Sequence, residues 1–433
     1  MTVIGIDDTD SRERGMCTTY AASRLARRIE AADGGVERVL LVRLNPAVEH
    51  KTRGNAALAV HTDIDPACGF ELARDLIADS AEVDDPRTNP GLVVADQDPE
   101  NAPDAVAEFA REAVRDHHEI ADAEALIERA GYESAGWKNA RGKIGALAAI
   151  GAWAALDEWT YEYVSYREAE RRGTPRDVDL DSAFAAADEQ YPVAWDTVDR
   201  VEGQAVCVPR APGPILHGIR GDDADAVRAV AAGIESESVE SSQLFVTNQG
   251  TDAHLRDAAL GAVEDGRSYR VDGTVVEPPE TREGGHVFLR IAGDDAVADC
   301  AESDADARLD CAAFEPTKRF RDRVRALRVG DRITACGEIG DETLKLEKFA
   351  VRELNDVELA TPDCPDCGRS MESAGADQGY RCRDCGTSHG GKVERRIDRD
   401  LEDGWYEVPP CARRHVAKPL VRGGFDAPIH PER

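Results

Sequence analysis

Four cysteines arranged as Cys364-x2-Cys367 and Cys382-x2-Cys385 constrain this chain more than any other feature of it. Fourteen residues separate the two pairs. Two short knuckles can then meet and place four thiolates around one tetrahedral Zn²⁺, at about 2.3 Å each. Four sulfur ligands leave no open position on the metal, so the expected zinc is structural and staples a small ribbon. Gly368 and Gly386 follow the pairs, where a knuckle has to turn tightly enough for backbone amides to face sulfur. The remaining cysteines of the eleven are scattered, which suits a reducing cytosol and argues against a disulfide framework.

A chain of 433 residues outgrows one hydrophobic core and, at roughly 100–200 residues per domain, implies about three or four of them. Residues 1–195 alternate strand and helix signals: "TVIGI", an Ala/Arg-rich helix from Thr18 to Ala32, "ERVLLVRLN", "NAALAVHT", a helix near 69–80, "GLVVA", acidic helices over 103–130, and the apolar "IGALAAIGAWAAL". That alternation predicts a layered α/β domain. Residues 196–265 read strand, helix, strand and fit a small α+β unit. Residues 266–356 become short alternating strands with turn signals, around "VGDRITACGEI", and predict a small barrel of the OB type. Residues 357–433 hold the cysteine set and a basic tail. The expected fold is thus multidomain, α/β and α+β.

The formal charge of -32, from 85 Asp and Glu against 53 Lys and Arg, ordinarily argues against nucleic acid, because phosphates repel carboxylates and draw on Lys and Arg. Only eight of the basic residues are Lys. An acidic, lysine-poor surface is what a protein dissolved in concentrated salt carries, where the Debye length falls to about 3 Å at 1 M. Read as adaptation to salt, the charge no longer excludes an RNA partner, and two islands run against it. Phe314–Arg332 has seven bases and three acids; Tyr380–Arg422 has ten bases and seven acids and mixes Trp405 and Tyr406 with Arg413, Arg414, His415 and Lys418. Single-stranded nucleic acid uses such a mixture for stacking and phosphate contacts, although a solvated helix face is the plainer reading of the first island. No apolar run reaches the ~18 residues of a membrane-spanning helix. The chain opens on a strand and acids where a leader would have a basic stretch and a long apolar run, so the expectation is a cytoplasmic protein without a membrane partner.

Directly behind the first apolar strand come Asp7, Asp8 and Asp10. Three carboxylates brought close repel one another unless they are protonated or bridged by a divalent cation. Mg²⁺ carrying nucleotide phosphates resolves the repulsion with one or two of them. In so acidic a chain such a cluster also arises by chance and stays solvated, so two loops bear on the choice. "NPAVEHKTRGNAA" puts Lys51, Arg53 and Asn55 after a strand, and "NARGKIGALAAIG" puts Arg141, Gly142, Lys143 and Gly145 at the start of an apolar helix, where free amides and the dipole's positive end receive phosphate. Neither is a Walker motif, since GxxxxGK[ST] is absent. Joined to the acids they describe an ATP·Mg²⁺ site. Thr18 and Thr19 open the first helix, where a hydroxyl ordinarily serves as a cap.

"GIDDTDS" with "CTTYAA", "RLNPAVEHKTRGNAA", "TNPGL", "GKIGALAAIG", "GIRG", "FVTNQGTDAHL", the cysteine ribbon and "PPCARRHVAKPLVR" together resemble the archaeal 2-agmatinylcytidine synthetases that modify a minor isoleucine tRNA. The resemblance runs along essentially the whole chain in the family's order. It implies a kinase-like catalytic domain over 1–195, a ferredoxin-like domain over 196–265, an OB-fold domain over 266–356 and a zinc ribbon with a basic tail over 357–433. It implies that ATP phosphorylates the C2 oxygen of the wobble cytidine of a CAU anticodon and that agmatine's amine displaces the phosphate, giving a base that reads adenine. By motif, Asp7, Asp8 and Asp10 would serve Mg²⁺ and phosphate chemistry, and Thr18, ahead of its neighbour Thr19, would be autophosphorylated. Lys51, Arg53, Asn55 and Lys143 would hold phosphates, and Cys364, Cys367, Cys382 and Cys385 the structural zinc. Beside this stand a different ATP-dependent enzyme acting on nucleic acid and an RNA-binding module without catalysis. A ligase or nucleotidyltransferase of the first kind would want a KxDG nucleophile, and the sequence has none.

Overall fold

Strand β1 (Thr2–Asp7) is buried almost from end to end because its residues alternate toward two separate cores: Ile4 and Ile6 enter one, Val3 the other. In the computed structural model, which describes residues 1–51, 54–293, 308–414 and 416–433, β1 pairs antiparallel with β3 (Ala56–Thr62) on one side and β4 (Gly91–Asp96) on the other. Next to β3 lies β2 (Val36–Arg43), and beyond β4 the edge strand β5 (Glu133–Gly136). Helices α1 (Thr18–Ala31) and α2 (Pro66–Ser80) cover the Ile4 face; α3 (Asp104–Ala113), α4 (Ile120–Ala130) and α5 (Gly142–Ala155) cover the Val3 face. Helix α5 is apolar nearly all round, which marks a helix enclosed by protein. It presses on β1 so closely that a Cβ on Gly5 would lie 2.2 Å from the carbonyl oxygen of Ala146.

The sheet does not end with this unit. Strand β6 (Thr160–Arg167) leads, past helix α6 (Leu180–Gln190), to short β7 (Ala194–Trp195), the small pair β8 (Val198–Asp199) and β9 (Gln204–Ala205), and β10 (Ile215–Gly221). Helix α7 (Ala224–Gly233) and strand β11 (Val239–Thr247) follow. Strands β11, β6, β10 and β7 lie side by side, and Val246 and Thr247 of β11 pair parallel with Leu40 and Leu41 of β2. One nine-stranded sheet results, in the order β5-β4-β1-β3-β2-β11-β6-β10-β7. A division of the chain at 195/196 falls inside it, since β6 precedes that point and its partners β10 and β11 follow it. Apart from the β2/β11 contact every pairing in the sheet is antiparallel. The alternation of apolar residues reports which face is buried and carries no information on strand direction.

Strands β13 (Ser268–Thr281), β14 (Val287–Ala292), β15 (Arg308–Ala313), β17 (Thr343–Glu353) and β16 (Arg332–Gly340) pair in a ring that closes back on β13, a five-stranded barrel. Helix α8 (Phe320–Arg325) plugs it with Phe320 and Val324, both fully buried. The first basic island is therefore an amphipathic plug. Its Arg319 turns outward to Asp199 at 3.1 Å. Strand β12 (Leu255–Asp257) extends the barrel beside β13; β23 (Gly404–Glu407) and β24 (Ile429–His430), from the end of the chain, extend it beside β17. The ribbon is a two-stranded stem of β18 (Val357–Ala360) and β22 (Val393–Arg396) that carries β19 (Glu372–Ser373), β20 (Tyr380–Arg381) and β21 (Ser388–His389). Among the described residues no helix is long and apolar enough to cross a membrane.

Candidate active site and metal centre

A cavity of about 780 Å³ opens at the carboxyl end of β1. Asp7, Asp8, Asp10, Thr18, Lys51 and Asn55 all line it. Arg53 lies outside the described residues. Lys143 is not brought in: its ammonium reaches Glu124 at 2.8 Å instead. Arg141, two residues earlier, lines the cavity in its place and approaches Asp8 at 3.5 Å.

Two of the three carboxylates are positioned by backbone amides. Asp7 Oδ1 accepts the amide of Asp8 at 2.7 Å, and its other oxygen lies against α5 where a Cβ on Gly145 would come within 2.0 Å. Only glycine fits there. Burial, and then the neighbouring charges of Asp8 and Asp10, hold the Asp7 carboxyl well above its ordinary range. Asp8 has a left-handed backbone, φ 58, and its Oδ2 accepts the amide of Asn89 at 3.0 Å. The carbonyl of Asp10 accepts the Thr88 hydroxyl at 2.5 Å. The residue at the cap of α1 is Cys17, whose side chain does not cap, and Thr18 is already the first helical residue. Its hydroxyl accepts from Thr9, Oγ1 at 3.2 Å, and stands at the cavity wall. Lys51 donates to the carbonyl of Pro46, and Asn55 Nδ2 to that of Asn45 at 2.9 Å.

Among the cavity residues that escaped the sequence reading are Arg43 and Glu162, 3.3 Å apart, with Arg220 joining Glu162 at 3.5 Å. Glu162 is 5% exposed. A charged residue inside an otherwise buried strand pattern was the available signal, since it persists there only with a partner or a function. Crowded carboxylates, Asp7 with raised proton affinity and Asp8 on a fixed left-handed backbone, fit a divalent cation. Arg141, Lys51 and Arg43 around the same cavity fit an anion such as a polyphosphate.

In the ribbon the ligand sulfurs of Cys364, Cys367, Cys382 and Cys385 all lie within 4.8 Å of one another. Gly368 and Gly386 take φ +70 and +71, and their amides bond back to the carbonyls of Cys364 and Cys382 at 2.8 and 3.0 Å. The contact with Cys367, with burial next, pushes the Cys385 thiol up to about 12. Four sulfurs this close cannot all be anions without a cation among them, and tetrahedral Zn²⁺ fits the set.

Residues 3–65 match the TiaS TCKD domain, residues 140–254 the TiaS FLD domain and residues 361–401 the TiaS C-terminal zinc ribbon domain. The 2-agmatinylcytidine synthetase TiaS of Haloquadratum walsbyi, which acts on isoleucine-2 tRNA, is 56% identical over 462 residues, covering 100% of both chains. The chain belongs to the TiaS family of tRNA 2-agmatinylcytidine synthetases. A solved complex of TiaS with isoleucine-2 tRNA and ATP matches with TM-score 0.88 at 39% identity, over 100% of this chain and 99% of that one. A complex of TiaS with the same tRNA, AMPCPP and agmatine matches with TM-score 0.86 at 37% identity, over the same shares.

The second basic island is not the open stacking surface that its composition predicts. Trp405 and Tyr406 are 3% and 5% exposed. Tyr406 stacks on Phe349 and His430 within the barrel wall. Arg413 is buried against Asp196 and Glu407, while Arg422 reaches Asp222 at 2.6 Å and Lys418 reaches Glu158 at 3.0 Å. His415 lies outside the described residues. The tail is thus a clasp tying the barrel to the second half of the large sheet. Composition missed this because a pattern of aromatic and basic residues does not reveal which side of the segment faces protein.

Proposed function

We propose that this chain is an ATP-dependent ligase that attaches agmatine to C2 of the wobble cytidine in the CAU anticodon of the minor isoleucine tRNA. The observation that carries this reading is the cavity that collects three carboxylates, Thr18 and several cations, in a chain that matches relatives bound to ATP and isoleucine-2 tRNA from end to end. A cytosine C2 carbonyl is a poor electrophile. Phosphorylating its oxygen creates the leaving group that direct attack by an amine lacks. Agmatine's amine then forms the new C–N bond at C2 while the C–O bond to phosphate breaks.

Asp8 and Asp7 are the residues to hold Mg²⁺, Asp8 because its carboxylate is fixed by the Asn89 amide and Asp7 because a cation would stabilise its disfavoured charge. When bound, the ion neutralises phosphate charge. Asp10 completes the acidic rim. Lys51 and Asn55 of the cavity lining hold phosphates together with Arg53, Arg141 serves where Lys143 turns away, and Thr18 accepts a phosphoryl group. The architecture reads as a kinase-like unit, a ferredoxin-like unit, an OB-type barrel and a zinc ribbon whose metal is structural. A reaction joining ATP, agmatine and tRNA belongs in the cytoplasm.

The deciding experiment incubates the protein in high salt with labelled agmatine, ATP, Mg²⁺ and tRNA bearing a CAU anticodon. Label enters the tRNA only when cytidine occupies the first anticodon position. ATP turnover without incorporation points to another ATP-dependent enzyme, and RNA retention with neither points to a binding module.

A further inference from the structure

Three cations and one buried carboxylate meet where the large sheet, the barrel and the C-terminal clasp come together. Glu338, near the end of β16, is 5% exposed. Its Oε2 holds Arg414, and its Oε1 holds the Lys345 ammonium at 3.5 Å. Lys51, from the loop that lines the cavity, belongs to the same group. Burial holds its ammonium below the usual range, and among the charges that act on it the largest contributions come from Glu338, Arg414 and Lys345. Two of the chain's eight lysines therefore share one spot.

Lys51 is held by the Pro46 carbonyl, and Lys345 and Arg414 against Glu338 leave one positive charge over, the complement of a single phosphodiester. Neither Lys345 nor Arg414 lines the cavity, so this charge faces whatever arrives from outside it. The Arg414 side chain is 46% exposed and the Lys345 side chain 28% exposed, which leaves both within reach of such a ligand. In a molecule of charge -32, a local cationic seat neighbouring the cavity residue Lys51 is where a polyanion can gain a foothold.

We propose that Lys345 and Arg414 grip a backbone phosphate of the RNA next to the target cytidine and so position that base over the cavity. Glu338 keeps the two cations together in the free protein and competes with the phosphate for Arg414. This inference rests on the tRNA-ligase reading.

The test replaces the phosphodiester on either side of the wobble cytidine by a neutral methylphosphonate and measures tRNA affinity across a salt series. For the native protein, one of the two substitutions is expected to weaken binding roughly tenfold, about 1.4 kcal/mol. Lys345→Ala with Arg414→Ala weakens binding of the ordinary tRNA, loses nothing further with the neutral linkage, and lowers the salt slope by about 0.7 for the lost contact. Glu338→Gln binds tRNA more tightly, the opposite sign from a residue needed only for packing. Affinity for an ATP analogue is unchanged in all of them. Neutral linkages that cost the native protein nothing, or a double variant that still suffers the full penalty, overturn the inference. A native protein that neither binds nor modifies the unaltered tRNA would instead remove the ligase reading beneath it.

Discussion

The sulfurs of the ribbon come from one short run, Cys364 to Cys385, whereas the cavity is assembled from β1, the start of α1, the loop after β2, the start of α5 and β6, with the Asn89 amide fixing Asp8. The ribbon has almost no core of its own: only Cys364, Met371 and Cys382 are buried together, with Tyr380 against them. Its metal therefore supplies much of its folding energy. The acids of the cavity depend instead on close packing of helix against strand. Gly5 and Gly145 let α5 press against β1 until no Cβ fits between them. A site made by its ion and a site made by its sheet should fail in different ways.

Asp8→Asn tests the second kind most severely. Asparagine tolerates the left-handed backbone at φ 58 and keeps an oxygen for the Asn89 amide, so fold and tRNA retention should persist. Agmatine incorporation should fall on the order of 10³-fold, the scale of losing one preorganised electrostatic contact to a transition state. Normal turnover in this variant would refute the metal assignment. Arg413→Ala asks what the clasp contributes. It strands Asp196 and Glu407, both buried beside the lost guanidinium, and is expected to destabilise the chain by about 3–5 kcal/mol. A denaturation midpoint close to that of the native protein would return the tail to a role at the surface. Cys364→Ser tests the first kind: zinc is released, and tRNA modification falls roughly tenfold while basal ATP hydrolysis changes little. Equal loss of both activities would mean that the ribbon and the cavity are not independent.

The same contrast explains what could be read in advance. Cysteine pairs at short spacing declare their site because every ligand is local in the chain. Asp7, Asp8 and Asp10 stand out as a cluster behind the first strand, but a role for Thr18 beside them came only through resemblance, and nothing in their spacing says that Asn89 and Gly145 will arrive next to them. Lys143 illustrates the limit: a lysine at the mouth of a Gly-rich helix start looks like a phosphate ligand, yet a glutamate on α4 claims it. The fusion of two units into one sheet rests on a parallel contact of Leu40 and Leu41 with Val246 and Thr247. Tertiary packing selects such a contact, and no local pattern announces it. The five-stranded barrel was more visible, because short alternating strands with turns between them leave few other ways to bury one face.

The smallest expected effect separates the clasp from the rest of the core by pH. Glu347 of β17 is buried beneath the clasp, its Oε2 accepting the amide of Val416 at 3.4 Å. Desolvation pushes its carboxyl up from 4.5 to about 7, against the pull of Arg414 and Arg413. Between those two values the folded chain keeps a proton that the unfolded chain has shed, so stability falls as pH rises through that window and levels off above it. Three buried histidines slope the other way. Burial lowers His61 to about 3 and His217 and His254 to about 4, so the unfolded chain takes up protons first and stability falls as pH drops from 6.5 toward 4. Glu347→Gln removes one of the two slopes. Relative to the native protein it should gain about 2 kcal/mol between pH 4.5 and 7, with the acid limb of the histidines unaltered. Unfolding free energies measured at half-unit steps over that range decide it. A variant whose profile runs parallel to that of the native protein would mean that Glu347 stays ionised beneath the clasp, held there by its arginines.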